Sequence, residues 1–267
     1  MASSFVKQKQ IEPNICEKMK TYGLIGYKLG HSFSKGFFTE KFENEKLNDC
    51  EYINFELDSI EAFPAIFNQG KTICGLNCTI PYKQEIMQYL DEIDEEAAAI
   101  GAVNTVKIIR TDGQQKLKGF NTDLYGFEHS IRPLLKEKHR KALILGTGGA
   151  SKAVKYLFDK MGISYISATT KEQLAKNELS YGQLTKAIMS EHLIVVNATP
   201  LGMYPKVDTY PYLPYDLITP NHILYDLVYN PQETLFLAKG KERGAKTKNG
   251  LEMLHLQALR AWEIWNS

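Results

Sequence analysis

Residues 141–154, KALILGTGGASKAV, carry the clearest chemical signal in the chain. The apolar run 142–145 ends at Gly146, the pattern of a strand buried on both faces. Gly146, Thr147, Gly148, Gly149 and Ala150 then make a turn with little side chain in the way, and residues 151–158 show helical spacing. Strand, glycine turn and helix start together aim unpaired backbone N–H groups and the positive end of a helix dipole at one point. That arrangement suits a pyrophosphate. The spacing is G-x-G-G-A-S, with Ser151 where the strict dinucleotide fingerprint has its third glycine. Such a turn also serves plain strand-to-helix connections, so the rest of the chain must decide.

Other loops place reactive side chains beside strand ends. Lys83 follows Pro81 where a buried strand stops, a position that also suits a solvated surface charge. Asp123 can begin a helix, favoured by the dipole in its first turn. Ser32 and Ser34 are two hydroxyls one residue apart that can donate to a carboxylate, and Ser34 equally suits a helix cap. Asn77, Thr79, Asn104 and Gln257 supply neutral donors and acceptors fit for a polyhydroxylated ring, with Asn104 also readable as a turn residue. Gln257 lies one helical turn after Met253, on a face that is either core or cleft wall. Tyr229 is either packing or ligand contact. His31 reads as structural, and the acidic run 91–96 as a solvated helix face.

These residues need elements to position them. Strands are expected at 22–27, 51–57 and 72–80, the last stopped by Pro81. Helices follow at 34–47, at 59–69 with Ser59 as cap, at 82–90, and at 94–100 closed by Gly101. Residues 103–110 and 115–120 form a hairpin around Asp112-Gly113, and 123–135 is a helix. After the glycine turn come a strand at 164–167, a polar helix at 174–189 and a buried strand at 193–196. A loop with five prolines spans 197–220, followed by a strand at 223–227 and helices at 233–243 and 251–265. The alternation implies two α/β domains flanking a cleft, the second a Rossmann-like cofactor domain. The expected division is 1–120, completed by 248–267, against 121–247.

Composition narrows the classes further. The chain has 267 residues and a formal net charge of +1, with no basic run to track nucleic acid. No apolar stretch reaches membrane-spanning length. Residues 1–14 lack the apolar core of a secretory signal and read as a frayed extension. Cys16, Cys50, Cys74 and Cys78 are too scattered for a disulfide framework, and no second pair completes a metal site. A cytoplasmic protein with free thiols and no metal is expected.

Seven stretches occur in one order: His31-Ser32-Phe33-Ser34, residues 77–83 (NCTIPYK), residues 101–105 (GAVNT), residues 119–123 (GFNTD), residues 197–203 (NATPLGM), residues 225–231 (YDLVYNP) and residues 249–257 (NGLEMLHLQ). With the glycine turn they make the chain, from about residue 22 to 265, similar to the shikimate dehydrogenase family. The resemblance implies reversible NADPH-dependent reduction of 3-dehydroshikimate to shikimate, on the route to chorismate and aromatic amino acids. It implies that Lys83 supplies the proton and that Asp123 orients it and holds a ring hydroxyl. It implies that Ser32 and Ser34 hold the substrate carboxylate, and that Asn77, Thr79, Asn104, Tyr229 and Gln257 line the substrate. On the cofactor side it implies the glycine turn, Asn197, Ala198, Thr199, Leu227 and Gly250.

The sequence departs from the family after the second cofactor-domain strand. NADP-preferring members carry Asn-Arg-Thr there, whereas this chain has Ser167-Ala168-Thr169-Thr170-Lys171. No acid stands there to repel a 2′-phosphate; Thr169, Thr170 and Lys171 can hold one, without an arginine's two-point grip. NADP over NAD is therefore expected, by a reduced margin. The end of the chain soon after Trp265 also reads as lacking a further helix. The alternatives are an NAD-preferring quinate/shikimate dehydrogenase and a ligand sensor without turnover. A monomer or homodimer is expected, acting on a small molecule and on neither nucleic acid nor membrane.

Overall fold

The computed structural model describes residues 19–30 and 33–267. Expectations resting on residues 1–18, Cys16 among them, and on His31 and Ser32 lie outside the described residues. Two six-stranded sheets are present among the described residues. The first contains β1 (Lys20–Gly26), β2 (Cys50–Glu56), β3 (Thr72–Cys78), β4 (Glu92–Ile93), β5 (Thr105–Thr111) and β6 (Gln114–Phe120), in the order β2-β1-β3-β5-β6-β4. β1, β2 and β3 run parallel, and β5 runs antiparallel to both β3 and β6, so this sheet is mixed. Asp112 and Gly113, with φ of 51° and 76°, close the expected hairpin in left-handed backbone.

The second sheet contains β7 (Lys141–Leu145), β8 (Ser164–Thr169), β9 (Glu178–Ser180), β10 (Ile194–Asn197), β11 (Ile223–Asp226) and β12 (Lys246–Lys248). Its order is β12-β11-β10-β7-β8-β9 and every pairing is parallel. The direction of winding reverses between β7 and β10, and the glycine turn leaves β7 at that point. Open α/β sheets bind ligands there. The helices are α1 (Phe33–Asn44), α2 (Glu95–Ile100), α3 (Thr122–Ile131), α4 (Gly149–Met161), α5 (Lys186–Glu191), α6 (Leu235–Glu242) and α7 (Leu251–Asn266).

Several elements differ from the sequence reading for local reasons. Ser34 sits inside the first turn of α1 and does not cap it. Residues 60–68 form a 3₁₀ segment, with no side-chain cap from Ser59, because Pro64 inside it cannot donate to an α-ladder. In 82–90 only Glu85–Tyr89 is helical, again as 3₁₀. The polar stretch 174–189 is no single helix: it holds β9, a 3₁₀ turn and α5. Its first half pairs with the edge of β8, Glu178, Leu179 and Ser180 lying beside Ser167, Ala168 and Thr169, and Leu179 packs on the core from there. The acidic run is likewise divided. Asp91 accepts from Leu117 N at 2.7 Å, Glu92 lies in β4, and Asp94 caps α2 by accepting from Glu96 N at 3.1 Å.

Two features tie the halves together. Ile100 and Ala102, beside the first sheet, share one core with Leu124 and Phe127 of α3 and with Ala142, Ile144, Val154 and Phe158. Helix α7 then runs from one half to the other. Gly250 N, at its start, donates to Val228 O at 3.1 Å, and Trp265, at its end, donates through Nε1 to Val106 O at 3.1 Å. No helix among the described residues is long and apolar enough to cross a membrane.

Helix α3 lies hard against α7 at Gly126. A Cβ there would stand 2.4 Å from the backbone oxygen of Met253, which cannot rotate aside. Helix propensity alone favours Gly126→Ala by about 1 kcal/mol. The contact should reverse that sign, leaving a net loss of about 1–3 kcal/mol in urea unfolding. A more stable variant would mean that the helices can part without cost.

Candidate active site

Lys83 and Asp123 stand 40 positions apart in the sequence and meet in space. The turn leaving β3 is anchored by Tyr82, whose hydroxyl donates to Leu57 O at 2.7 Å. Lys83 O in turn accepts from Val103 N at 2.7 Å, which pins the backbone beneath the side chain. Asp123 stands in the first turn of α3, whose start is capped by Asn121 accepting from Leu124 N at 3.2 Å. Lys83 Nζ lies 2.6 Å from Asp123 Oδ2, with the two side chains 28% and 22% exposed. A charge-assisted bond of this length, partly open to solvent, can move a proton and orient the group that carries it.

Beside the pair runs a continuous set of buried polar side chains. Tyr52, buried on β2, donates to Asn77 Oδ1 at 2.9 Å, and the Ser34 side chain hydrogen-bonds the same phenol. Burial pushes the Tyr52 phenol far above its ordinary pKa, so it stays a neutral donor. Asn77 Nδ2 donates to Asn104 O at 3.3 Å and Thr105 Oγ1 at 3.2 Å. Asn104 Oδ1 accepts from Thr122 N at 2.7 Å, and Thr122 Oγ1 lies 3.4 Å from Gln257 Oε1. The face of α7 bearing Gln257 is therefore a wall of this polar strip, with Gln257 itself buried. Thr79 directly follows β3, its N–H donating to Ile25 O of β1 at 2.9 Å. Tyr229 makes no hydrogen bond to the strip among the described residues. It packs edge-on against Phe33 at 6.0 Å and faces a groove of about 750 Å³ beside α1.

The glycine turn is built for a close approach. Gly146 has φ of 96°, and a Cβ on it would lie 2.8 Å from Thr199 Cγ2. Nothing stands within 4 Å of where Cβ atoms would be on Gly148 or Gly149. Gly148 is the N-cap of the 13-residue α4 and has no side chain to cap it, so the N–H groups of the first turn have no side-chain acceptor there. These features fit a dinucleotide pyrophosphate. The opposite wall is Asn197-Ala198-Thr199 with Leu227 and Gly250. Leu227 N donates to Asn197 O at 3.0 Å, and a Cβ on Gly250 would meet Leu227 O at 2.3 Å. At the end of β8, Thr169 is buried with Oγ1 accepting from Lys171 N at 3.3 Å, while Thr170 and Lys171 are exposed. Lys171 makes no ion pair among the described residues, so its charge is available to a phosphate.

The sequence reading assigned no role to Asp226, Tyr52, Thr105 or Thr122. Asp226 is fully buried at the end of β11 and holds the cofactor-side loops together. Its Oδ1 accepts from Asn197 Nδ2 at 2.9 Å and Val228 N at 3.0 Å, and its Oδ2 from Thr234 Oγ1 at 2.5 Å. Asn197 Oδ1 meanwhile accepts from Thr199 N and Thr199 Oγ1, at 3.0 and 2.6 Å, which sets the loop's shape. An acid closing an otherwise apolar strand was the signal available in the sequence.

Burial outweighs those three donors and pushes the Asp226 carboxyl up to about 6 from its ordinary 3.8. Between pH 4 and 6 the folded chain keeps a proton that the unfolded chain has lost. Stability should therefore fall as pH rises through that window, by up to about 3 kcal/mol, then level off. Asp226→Asn imitates the neutral acid, keeping Oδ1 for two donors and turning an N–H toward Thr234. Urea unfolding of both proteins at pH 4 and pH 7 should show the variant gaining relative to the parent at the higher pH. Parallel curves would remove this assignment.

The family model for the shikimate dehydrogenase substrate binding domain matches residues 24–106. A protein of Methanococcus aeolicus named shikimate dehydrogenase (NADP(+)) is 40% identical over 265 residues, spanning 94% of this chain and 93% of its own. The crystal structure of shikimate dehydrogenase from Aquifex aeolicus superposes with a TM-score of 0.80 at 34% identity, covering 93% of this chain and 92% of that one. The shikimate 5-dehydrogenase of Listeria monocytogenes, in complex with shikimate and NAD, gives 0.81 at 29% identity over 97% and 95%. With the paired Lys83 and Asp123, the polar strip and the open glycine turn already in place, these likenesses make the chain a member of the shikimate dehydrogenase family.

Proposed function

We propose that the protein is an NADP-dependent shikimate dehydrogenase, interconverting 3-dehydroshikimate and shikimate. The observation that carries this reading is the Lys83–Asp123 pair at 2.6 Å beside the strip of amides and hydroxyls. A bound nicotinamide supplies or takes up the hydride. In the reducing direction Lys83 gives a proton to the substrate carbonyl oxygen, and in oxidation the neutral amine takes it back. Asp123 keeps the ammonium aimed and accepts from a neighbouring ring hydroxyl. Asn77, Thr79, Asn104, Gln257 and Tyr229 hold the remaining hydroxyls, and Ser34 with Ser32 holds the carboxylate. Backbone N–H groups at Gly148, Gly149 and Ala150 hold the pyrophosphate, and Thr169, Thr170 and Lys171 face the 2′-phosphate.

We take residues 1–120 with 248–267 as the substrate unit and 121–247 as the cofactor unit. The strands of each sheet support this division, β12 running one residue past it. We also take the enzyme to work in the cytoplasm as a monomer or homodimer; its formal charge of +1 supports a small-molecule partner over nucleic acid.

Lys83→Ala should lower kcat about 10²–10⁴-fold, the usual cost of a lost acid–base group, with KM changed far less. Initial rates followed at 340 nm test this, and an unchanged kcat would take Lys83 out of the mechanism.

A two-by-two assay of shikimate or quinate against NADP or NAD should give its highest kcat/KM with shikimate and NADP. Lys171→Ala should narrow the preference for NADP, because Lys171 offers the phosphate a point charge in place of an arginine fork. An NAD value equal to or above that for NADP would favour the NAD-preferring quinate/shikimate reading.

A further inference from the structure

Thr105 has no exposed surface and Thr122 only 1%, and the hydroxyls of both are taken up by neighbouring side chains. Each lies between amides that line the site, and backbone groups fix how those amides are turned. Thr122 N–H can only donate, so the end of Asn104 that it meets at 2.7 Å is the oxygen. Asn104 O and Leu254 O can only accept, so the ends of Asn77 and Gln257 that face them, at 3.3 and 2.9 Å, are the nitrogens. Two hydroxyls remain to be oriented. Thr105 Oγ1 accepts from Asn77 Nδ2 at 3.2 Å, so its proton points onward, to Thr122 Oγ1 at 3.1 Å or Asn104 Oδ1 at 3.2 Å. Thr122 Oγ1 then has its own proton free for Gln257 Oε1 at 3.4 Å or Asn104 Oδ1 at 3.2 Å.

Resting on the shikimate reading above, we propose that Thr105 and Thr122 are positioning residues whose hydroxyls form a one-way relay from Asn77 to Gln257, fixing the polarity with which Asn77, Asn104 and Gln257 meet the substrate. Asn104 Oδ1 is held inward, so Asn104 turns its N–H groups outward. Gln257 keeps one N–H beyond its bond to Leu254 O. Asn77 has both N–H groups engaged and offers the remaining lone pair of Oδ1. The substrate is therefore met by amide donors at Asn104 and Gln257 and by an acceptor at Asn77. A ring whose hydroxyl polarity or placement does not match leaves a buried amide unpaired, which costs more than a missing contact.

The test compares Thr105→Val and Thr122→Val, which keep shape and lose the hydroxyl, with Thr105→Ser and Thr122→Ser, which keep the hydroxyl. Shikimate and NADP dissociation constants, kcat, KM and Tm are measured for each. Both valine variants should weaken shikimate about tenfold or more, while NADP affinity stays within about twofold and both serine variants return toward the parent. The double valine variant should cost less than the sum of the singles, because one relay can be broken only once. Valine and serine variants that weaken shikimate equally would show methyl packing and overturn the relay, as would valine variants that lower only Tm. If Thr105→Val does not fold, Thr122→Val and its serine partner decide on the same terms. Failure of the parent itself to bind shikimate would instead overturn the substrate reading, separately from the relay.

Discussion

The close contact of α3 with α7 is the constraint on which the rest of the site depends. Asp123 stands at the first turn of α3 and Gln257 on the facing side of α7, so the distance between the helices sets the distance between two walls of the site. Only a residue without a Cβ at position 126 allows the backbone of α7 so near. The same helix pair is flanked by apolar residues from both sheets, so its position is held by burial on each side. Small changes in that packing would reach the Lys83–Asp123 pair directly, because Asp123 has no other route to its partner than the register of α3.

Around this frame the site follows the rule that buried polar groups must be paired. Asn77, Asn104, Thr105, Thr122 and Gln257 are all nearly or fully buried, and each has partners among the others or on the backbone. Leaving any one of them unpaired costs about 1–3 kcal/mol, so the strip is rigid as a set before a substrate arrives. Lys83 and Asp123 differ in being partly open, which suits groups that must exchange protons with a ligand and with solvent. The cofactor half repeats the scheme with Asp226 at its centre. There a single buried carboxyl ties the loops after β10 and β11, and the neutral acid predominates at low pH because desolvation outweighs its donors.

Much of this was legible in the chain. The glycine turn between an apolar strand and a helix, the Asp112-Gly113 hairpin and the α2 stop at Gly101 each depend on residues next to one another. Backbone conformation at such places is decided by local sterics and local hydrogen bonds, so the residues themselves declare it. Lys83 and Asp123 could be singled out from family resemblance, while nothing near either residue in the chain shows that they touch. The polar stretch 174–189 was misread as helix because edge pairing to β8 lies outside any local pattern. β4 and β12, two and three residues long, carry too few positions for a period to show.

What the sequence determined by itself was the punctuation of the chain and the chemical kinds of its site residues. Tertiary structure alone decided which of them meet: Lys83 with an aspartate 40 positions away, Thr122 with a glutamine 135 positions away, and Asp226 with an asparagine 29 positions away. It also decided the protonation preference of Asp226 and the inward turn of Asn104, neither of which a residue type can announce. The physical reason is common to all of them. Hydrogen-bond partners and dielectric surroundings are properties of position in space, and position is fixed only when the two sheets and the helices between them pack together.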